Sequence, residues 1–87
     1  MSLIIYSKER CVYCDQAKRL LTGKGITYTE IKIDEDKAAH QFLTSQGHTT
    51  VPQLYKDGKL LVEGGYSGLA LKDKEFFNQL KGNNGQD

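Results

Sequence analysis

Apolar positions along this chain change their spacing several times, and each change marks an element. Residues 2–7, Ser-Leu-Ile-Ile-Tyr-Ser, are a short β-branched run and read as a buried strand. After the polar turn Lys8-Glu9-Arg10, apolar side chains recur at Tyr13, Ala17, Leu20 and Leu21, which is helical spacing; Gly23 and Gly25 stop it. Residues 26–33 alternate, with Ile31 and Ile33 on one face, as in a second strand. A second helix is expected from Asp34, where acidic residues suit the first turn. Its stripe is Ala38, Ala39, Phe42 and Leu43, and Gly47 closes it. Strand, helix and strand in succession make a βαβ unit, so the first two strands are expected to be parallel with a right-handed crossover.

The second half changes character. Gln53-Leu54-Tyr55-Lys56 and Lys59-Leu60-Leu61-Val62 flank Asp57-Gly58, a strong short hairpin signal. After Gly64-Gly65 a final helical pattern runs through Leu69, Phe76, Phe77 and Leu80. Residues 82–87 are polar and glycine-rich and read as a flexible, frayed tail. There is no internal repeat and no linker. The order β-α-β-α-β-β-α predicts an α/β fold for residues 1–81, a four-stranded mixed sheet flanked by three helices.

Composition narrows the function more than the fold. Eighty-seven residues, 38% hydrophobic and 26% charged, are one soluble domain rather than a disordered or membrane chain. No apolar run approaches the roughly 18 residues that span a bilayer, and the opening residues do not read as a signal peptide. A net charge of +1 leaves no electrostatic footprint for nucleic acid or an anionic membrane. Two cysteines are too few for a disulfide scaffold, so an intracellular, cytoplasmic protein is expected, and its thiols need another explanation.

Those thiols are Cys11-Val12-Tyr13-Cys14, where the first strand hands over to the first helix. Thiolate is the nucleophile, and a free cysteine, titrating near roughly pH 8.5, is mostly thiol at neutral pH. A helix N-terminus offers unpaired backbone N–H groups and the positive end of the dipole. Residues 8–24 carry five basic and two acidic side chains, Lys8 and Arg10 among the former, and all of this favours the anion at Cys11. Cys14, in the first turn and on the same face, can reach back to a mixed disulfide at Cys11. Cys11 is therefore assigned as the attacking thiol and Cys14 as the resolving thiol. A zinc knuckle would need a second pair, and His40 and His48 lie eight apart, outside the usual spacing, so no metal site is expected. Both histidines read as polar surface residues. Two inert structural thiols remain an alternative.

Pro52, the single proline, follows Thr49-Thr50-Val51 at the start of the third strand, a position that tolerates a residue without an N–H. It either simply starts the strand or carries a cis Val51–Pro52 bond, which a tertiary amide permits. The cis form would turn the Val51 backbone outward to pair with an extended peptide. Gly64-Gly65 is either a plain turn or a place where a ligand approaches the backbone closely and a carboxylate meets the next helix.

Taken in order, Lys8, Cys11-Val12-Tyr13-Cys14, Thr50-Val51-Pro52 and Gly64-Gly65-Tyr66 resemble the dithiol glutaredoxins, short bacterial and phage forms above all. The resemblance covers residues 1–81. It implies a thioredoxin fold and glutathione-dependent reduction of protein disulfides and glutathione mixed disulfides, with glutathione as co-substrate and no tightly bound cofactor. It also implies that Cys11 is the nucleophile and Cys14 its partner. Lys8 would approach the glycine carboxylate of glutathione, and Tyr13 would line the groove. The backbone of Val51, ahead of Pro52, would pair with the cysteinyl part, with Thr50 beside it. Tyr66 and Ser67 would receive the γ-glutamyl end. Two positions depart from the family pattern. Val12 stands where many members have proline, and no carboxylate follows Gly64-Gly65 until Asp73.

The Ser67-Gly68 pair at this point also resembles the small redoxins that are recharged by thioredoxin reductase and serve ribonucleotide reductase. Expected partners are thus glutathione and disulfide-containing or glutathionylated proteins, ribonucleotide reductase among them. Nothing in the chain demands an oligomer, so a monomer is expected. A third expectation is an iron–sulfur carrier, with Cys11 and one glutathione from each of two subunits around the cluster. Val12 is bulkier than the residue such members carry after the first cysteine, which sets this behind the others.

Overall fold

The computed structural model describes residues 3–85, with side chains placed through Lys81. Its elements run in chain order as β1 (Leu3–Ser7), α1 (Val12–Gly23), β2 (Thr29–Lys32), α2 (Lys37–Ser45), β3 (Gln53–Lys56), β4 (Lys59–Leu60), α3 (Gly65–Ala70) and α4 (Lys74–Gly85). The sheet order is β2-β1-β3-β4. β1 pairs in parallel with β2, placing Ile5 opposite Glu30, and antiparallel with β3, placing Ile5 opposite Leu54. The parallel pair and the hairpin are those the sequence predicts. Asp57 and Gly58 turn the hairpin with φ of 53° and 82°, the positive values that a two-residue turn matched to strand twist requires.

Alternation along β1 splits the core into two layers. Leu3 and Ile5 face one side, where Ala17 and Leu21 of α1, Leu54, Leu69 of α3 and Phe77 and Leu80 of α4 join them. Ile4 and Tyr6 face the other, with Ile31, Ala39, Phe42, Leu43 and Tyr55 under α2. Ile5, Leu21, Leu54 and Leu69 are fully buried, each removing enough apolar surface from water to stabilise the fold by about 1.5–3 kcal/mol. Ala38, expected in the α2 stripe, is exposed.

Two helix boundaries differ from expectation. α2 begins at Lys37 rather than Asp34 because Asp36 is its cap, its Oδ1 accepting the Ala39 N–H at 3.0 Å. The final helical stretch is two helices, making four rather than three. Asp73 accepts the Phe76 N–H at 3.0 Å and starts a new helix, and Leu71 in the break is 86% exposed. α4 continues to Gly85, into the stretch expected as tail; Gln86 and Asp87 lie outside the described residues. Among the described residues no helix is long and apolar enough to cross a membrane.

A polar tie locks α1 onto the sheet. The fully buried Ser7 donates its hydroxyl to Glu30 Oε2 at 2.7 Å, and Lys18 Nζ donates to the same oxygen at 2.8 Å. These bonds hold the Glu30 carboxyl below its ordinary range, Lys18 contributing most and Ser7 next. The Glu30 hydrogen bond pushes Lys18 up in turn. Ser7 is the last residue of β1, so the loop that follows it to Cys11 leaves from a fixed point.

Candidate active site

Cys11 is the N-cap of α1, with extended backbone, and its Sγ accepts the Cys14 backbone N–H at 3.1 Å. That N–H is one of the helix's unpaired donors, directed here at sulfur rather than at water. The sulfurs of Cys11 and Cys14 are joined in a disulfide, with Cα atoms 5.2 Å apart. Cys11 is half-buried and Cys14 only 1% exposed, so an incoming sulfur meets Cys11 first. Arg10 turns the chain into the helix with φ of 58°, and the Glu9 N–H donates to Asp34 Oδ2 at 3.1 Å. Glu9 also pairs with Lys32 at 3.0 Å, which raises the Lys32 amine above its ordinary value.

The expected source of positive charge is only partly realised. Among the described residues, the polar groups at the Cys11 sulfur are the Cys14 N–H and the Val51 carbonyl, at 3.1 and 3.9 Å, and neither Lys8 nor Arg10 touches it. Lys18 is committed to Glu30 and Asp15. The helix end, more than the basic side chains, favours a thiolate at Cys11.

The Val51–Pro52 peptide is cis, and the Val51 carbonyl oxygen lies 3.9 Å from Cys11 Sγ. Pro52 is buried and Val51 half-buried. Gln53, a buried polar residue, donates its Nε2 to the Thr50 carbonyl at 3.0 Å and pins the loop ahead of β3. Gly65 settles the double-glycine alternative for its own position. Its φ is +57°, and a Cβ there would sit 2.6 Å from the Pro52 carbonyl oxygen. The missing side chain thus makes room for the proline loop rather than for a ligand.

Two clefts meet at this loop. One, of about 580 Å³, brings together Tyr13, Thr50, Val51, Pro52, Tyr66 and Ser67, six of the seven residues that the sequence implicates in glutathione binding. The rings of Tyr13 and Tyr66 stack across it with centroids 6.3 Å apart, and Tyr13 is 60% exposed. Lys8, the seventh, lines the neighbouring cleft of about 810 Å³, which shares Thr50, Val51 and His48 with the first. His48 is not the surface residue expected. It is half-buried, its Nε2 2.8 Å from the Tyr55 hydroxyl, and it forms the wall between the clefts. His40 is exposed and lines the larger cleft. The sequence reading also passed over Gln53 and Glu63, both on the smaller cleft; no local motif marks either.

A mixed sheet with helices on both faces, a disulfide capping the first helix and a cis-proline loop against it define a thioredoxin-fold dithiol redox protein. The fold matches that of solved structures of this class. The structure of a buckwheat glutaredoxin–glutathione complex superposes with a TM-score of 0.74 at 27% identity, over 93% of this chain and 76% of that one. The NrdH-redoxin of Escherichia coli, described as having a thioredoxin-like activity profile, superposes with a TM-score of 0.71 at 25% identity, over 92% and 95%. Glutaredoxin 3 of Escherichia coli K12 is 43% identical over 56 residues, 63% of this chain and 68% of that protein. The glutaredoxin family model matches residues 3–61, and the chain belongs to the glutaredoxin family. With its Cys11–Cys14 pair it is a thiol–disulfide oxidoreductase.

Proposed function

We propose that the chain reduces protein disulfides and glutathione mixed disulfides with glutathione as the electron source. The observation that carries this is the Cys11 sulfur, which accepts the Cys14 N–H and lies 3.9 Å from the carbonyl of Val51, a residue that lines the cleft of Tyr13, Thr50, Tyr66 and Ser67. The likeness to a glutaredoxin solved with glutathione supports the same reading.

The chemistry is two exchanges. Cys11 thiolate attacks a substrate sulfur, forms a mixed disulfide and expels one substrate thiolate, which takes a proton from water. Cys14, as thiolate, then attacks Cys11 Sγ and expels the second. Two electrons have passed to the substrate, and Cys11–Cys14 is left as the disulfide. One glutathione thiolate attacks Cys11 Sγ and frees Cys14; a second attacks the bound glutathione sulfur, giving glutathione disulfide and Cys11 thiolate. With a glutathionylated substrate, Cys11 and a second glutathione complete the cycle alone.

The test is glutathione-driven turnover of a small glutathionyl mixed disulfide, coupled to glutathione reductase and NADPH. Brisk turnover is expected. A second reading is favoured by the absence of a carboxylate after Gly64-Gly65 and by the likeness to NrdH-redoxin: reduction by thioredoxin reductase and delivery of electrons to ribonucleotide reductase. Negligible glutathione turnover, from protein whose disulfide thioredoxin reductase readily reduces, would select that reading. Thioredoxin sits near −270 mV and glutaredoxins near roughly −200 to −230 mV, so a measured potential discriminates in the same direction.

A further inference from the structure

The smaller cleft is almost without formal charge. Among its lining residues Glu63 is the single carboxylate and there is no lysine or arginine, whereas the larger cleft mixes Lys8 and Lys37 with Asp34 and Glu35. Glu63 is exposed, and among the described residues no cation pairs with it. Three other acids are committed elsewhere: Glu9 to Lys32, Glu30 to Lys18 and Ser7, Asp34 to the Glu9 N–H.

An exposed glutamate is ordinarily just a solvated charge. This one stands at a fixed point. A Cβ at Gly68 would collide with the Glu63 carbonyl oxygen, so α3 lies directly on the Glu63 peptide, and Gly65 abuts the Pro52 carbonyl. Glu63 thereby lines the same groove as the loop whose Val51 carbonyl is 3.9 Å from Cys11 Sγ.

Glutathione joined to Cys11 through its own sulfur extends in two directions. Its glycine arm ends in a carboxylate alone. Its γ-glutamyl arm ends in a carboxylate and an ammonium. A groove holding a single negative side chain favours the arm that carries the ammonium, and Lys8 in the other cleft favours the glycine end there. We infer that Glu63 receives the γ-glutamyl ammonium and is the side chain that distinguishes glutathionyl from other mixed disulfides. This rests on the glutathione reading above. It supplies from the residue before Gly64 the negative charge that is missing after Gly65.

The experiment compares kcat/KM for a glutathionyl peptide with kcat/KM for the same peptide carrying desamino-glutathione, which lacks only the amine. The ratio within one preparation is insensitive to how much of a variant is folded. The native chain is expected to prefer the glutathionyl peptide about two- to fivefold, the upper range of one exposed ion pair. Glu63→Gln is expected to bring the ratio to about one, and Glu63→Lys below it, by the sign of the charge. A native ratio already near one, or a Glu63→Gln ratio equal to the native one, overturns the assignment of Glu63 while leaving glutathione use intact. No turnover of the glutathionyl peptide by the native chain overturns both.

Discussion

The Cys14 backbone N–H points at Cys11 Sγ from 3.1 Å, so the second cysteine of the pair meets the first through its backbone as well as through the disulfide. A hydrogen bond to the charged form of a group favours that form. In the reduced protein Cys11 is therefore expected to titrate below an ordinary thiol. Thiolate absorbance of a Cys14→Ser variant, followed against pH, checks this; a midpoint at the free-cysteine value would refute it.

The burial difference between the two sulfurs sets their separate losses. Cys11→Ser is expected to abolish both activities, because only the half-buried sulfur meets substrate. Cys14→Ser is expected to keep reduction of glutathionyl mixed disulfides and lose reduction of protein disulfides such as those of insulin. Equal loss of both in Cys14→Ser would contradict the two-step scheme.

Three glycines should respond differently to alanine. At Gly68 the new Cβ runs into the Glu63 carbonyl, and at Gly65 it comes within 2.6 Å of the Pro52 carbonyl at a φ of +57°. At Gly47 φ is also positive, +86°, but nothing lies within 4 Å. Gly47→Ala is expected to cost about 1 kcal/mol, and Gly65→Ala and Gly68→Ala roughly 2–4 kcal/mol. Each kcal/mol lowers Tm by roughly 4–8 °C in a domain of this size, so thermal melts rank the three.

Glu30 makes stability acid-sensitive. Its folded carboxyl titrates below the unfolded value of 4.5, so it binds fewer protons folded than unfolded across that interval. Its contribution is complete above the unfolded value and is lost as pH falls through the folded one. Glu30→Gln is expected to destabilise at pH 7 by about 1–2 kcal/mol, leaving the half-buried Lys18 with only the longer contact to Asp15. The difference from the native chain should shrink as pH drops from 5 toward 2. Urea unfolding at several pH values reads it; a difference that persists unchanged at the lowest pH would contradict the linkage.

His48 and Tyr55 share a 2.8 Å bond across the wall between the clefts, and burial raises the phenol of Tyr55 above its ordinary value. His48→Phe leaves that hydroxyl unpaired in a buried site, at an expected cost of about 1–2 kcal/mol. Because His48 lies just ahead of Thr50 and Val51, KM for a glutathionyl substrate is expected to rise more than kcat falls. Glutamine at the same position, able to reach the phenol, should restore part of both.

Much of this architecture is legible in local spacing. The Leu3/Ile5 and Ile4/Tyr6 alternation sorts β1 between two core layers, Asp57-Gly58 announces the hairpin, and two cysteines three apart after a strand announce the redox pair. The split of the last helix escaped because Leu69, Phe76, Phe77 and Leu80 stay in helical phase across the break at residues 71–73. His48 escaped because its meaning depends on Tyr55, a strand residue that no helical or strand period relates to it.

What the chain determines by itself is set by short-range physics: side-chain period, turn chemistry, and a thiol pair where a helix begins. Tertiary structure decided the rest. The two isomers of a bond before proline differ by only about 0.5–1 kcal/mol in the free chain, so the cis form of Val51–Pro52 belongs to the packed loop. The cleft, too, exists only where Tyr13, Val51 and Gly65, distant in sequence, come together, since a groove and the charges lining it are properties of surfaces rather than of segments.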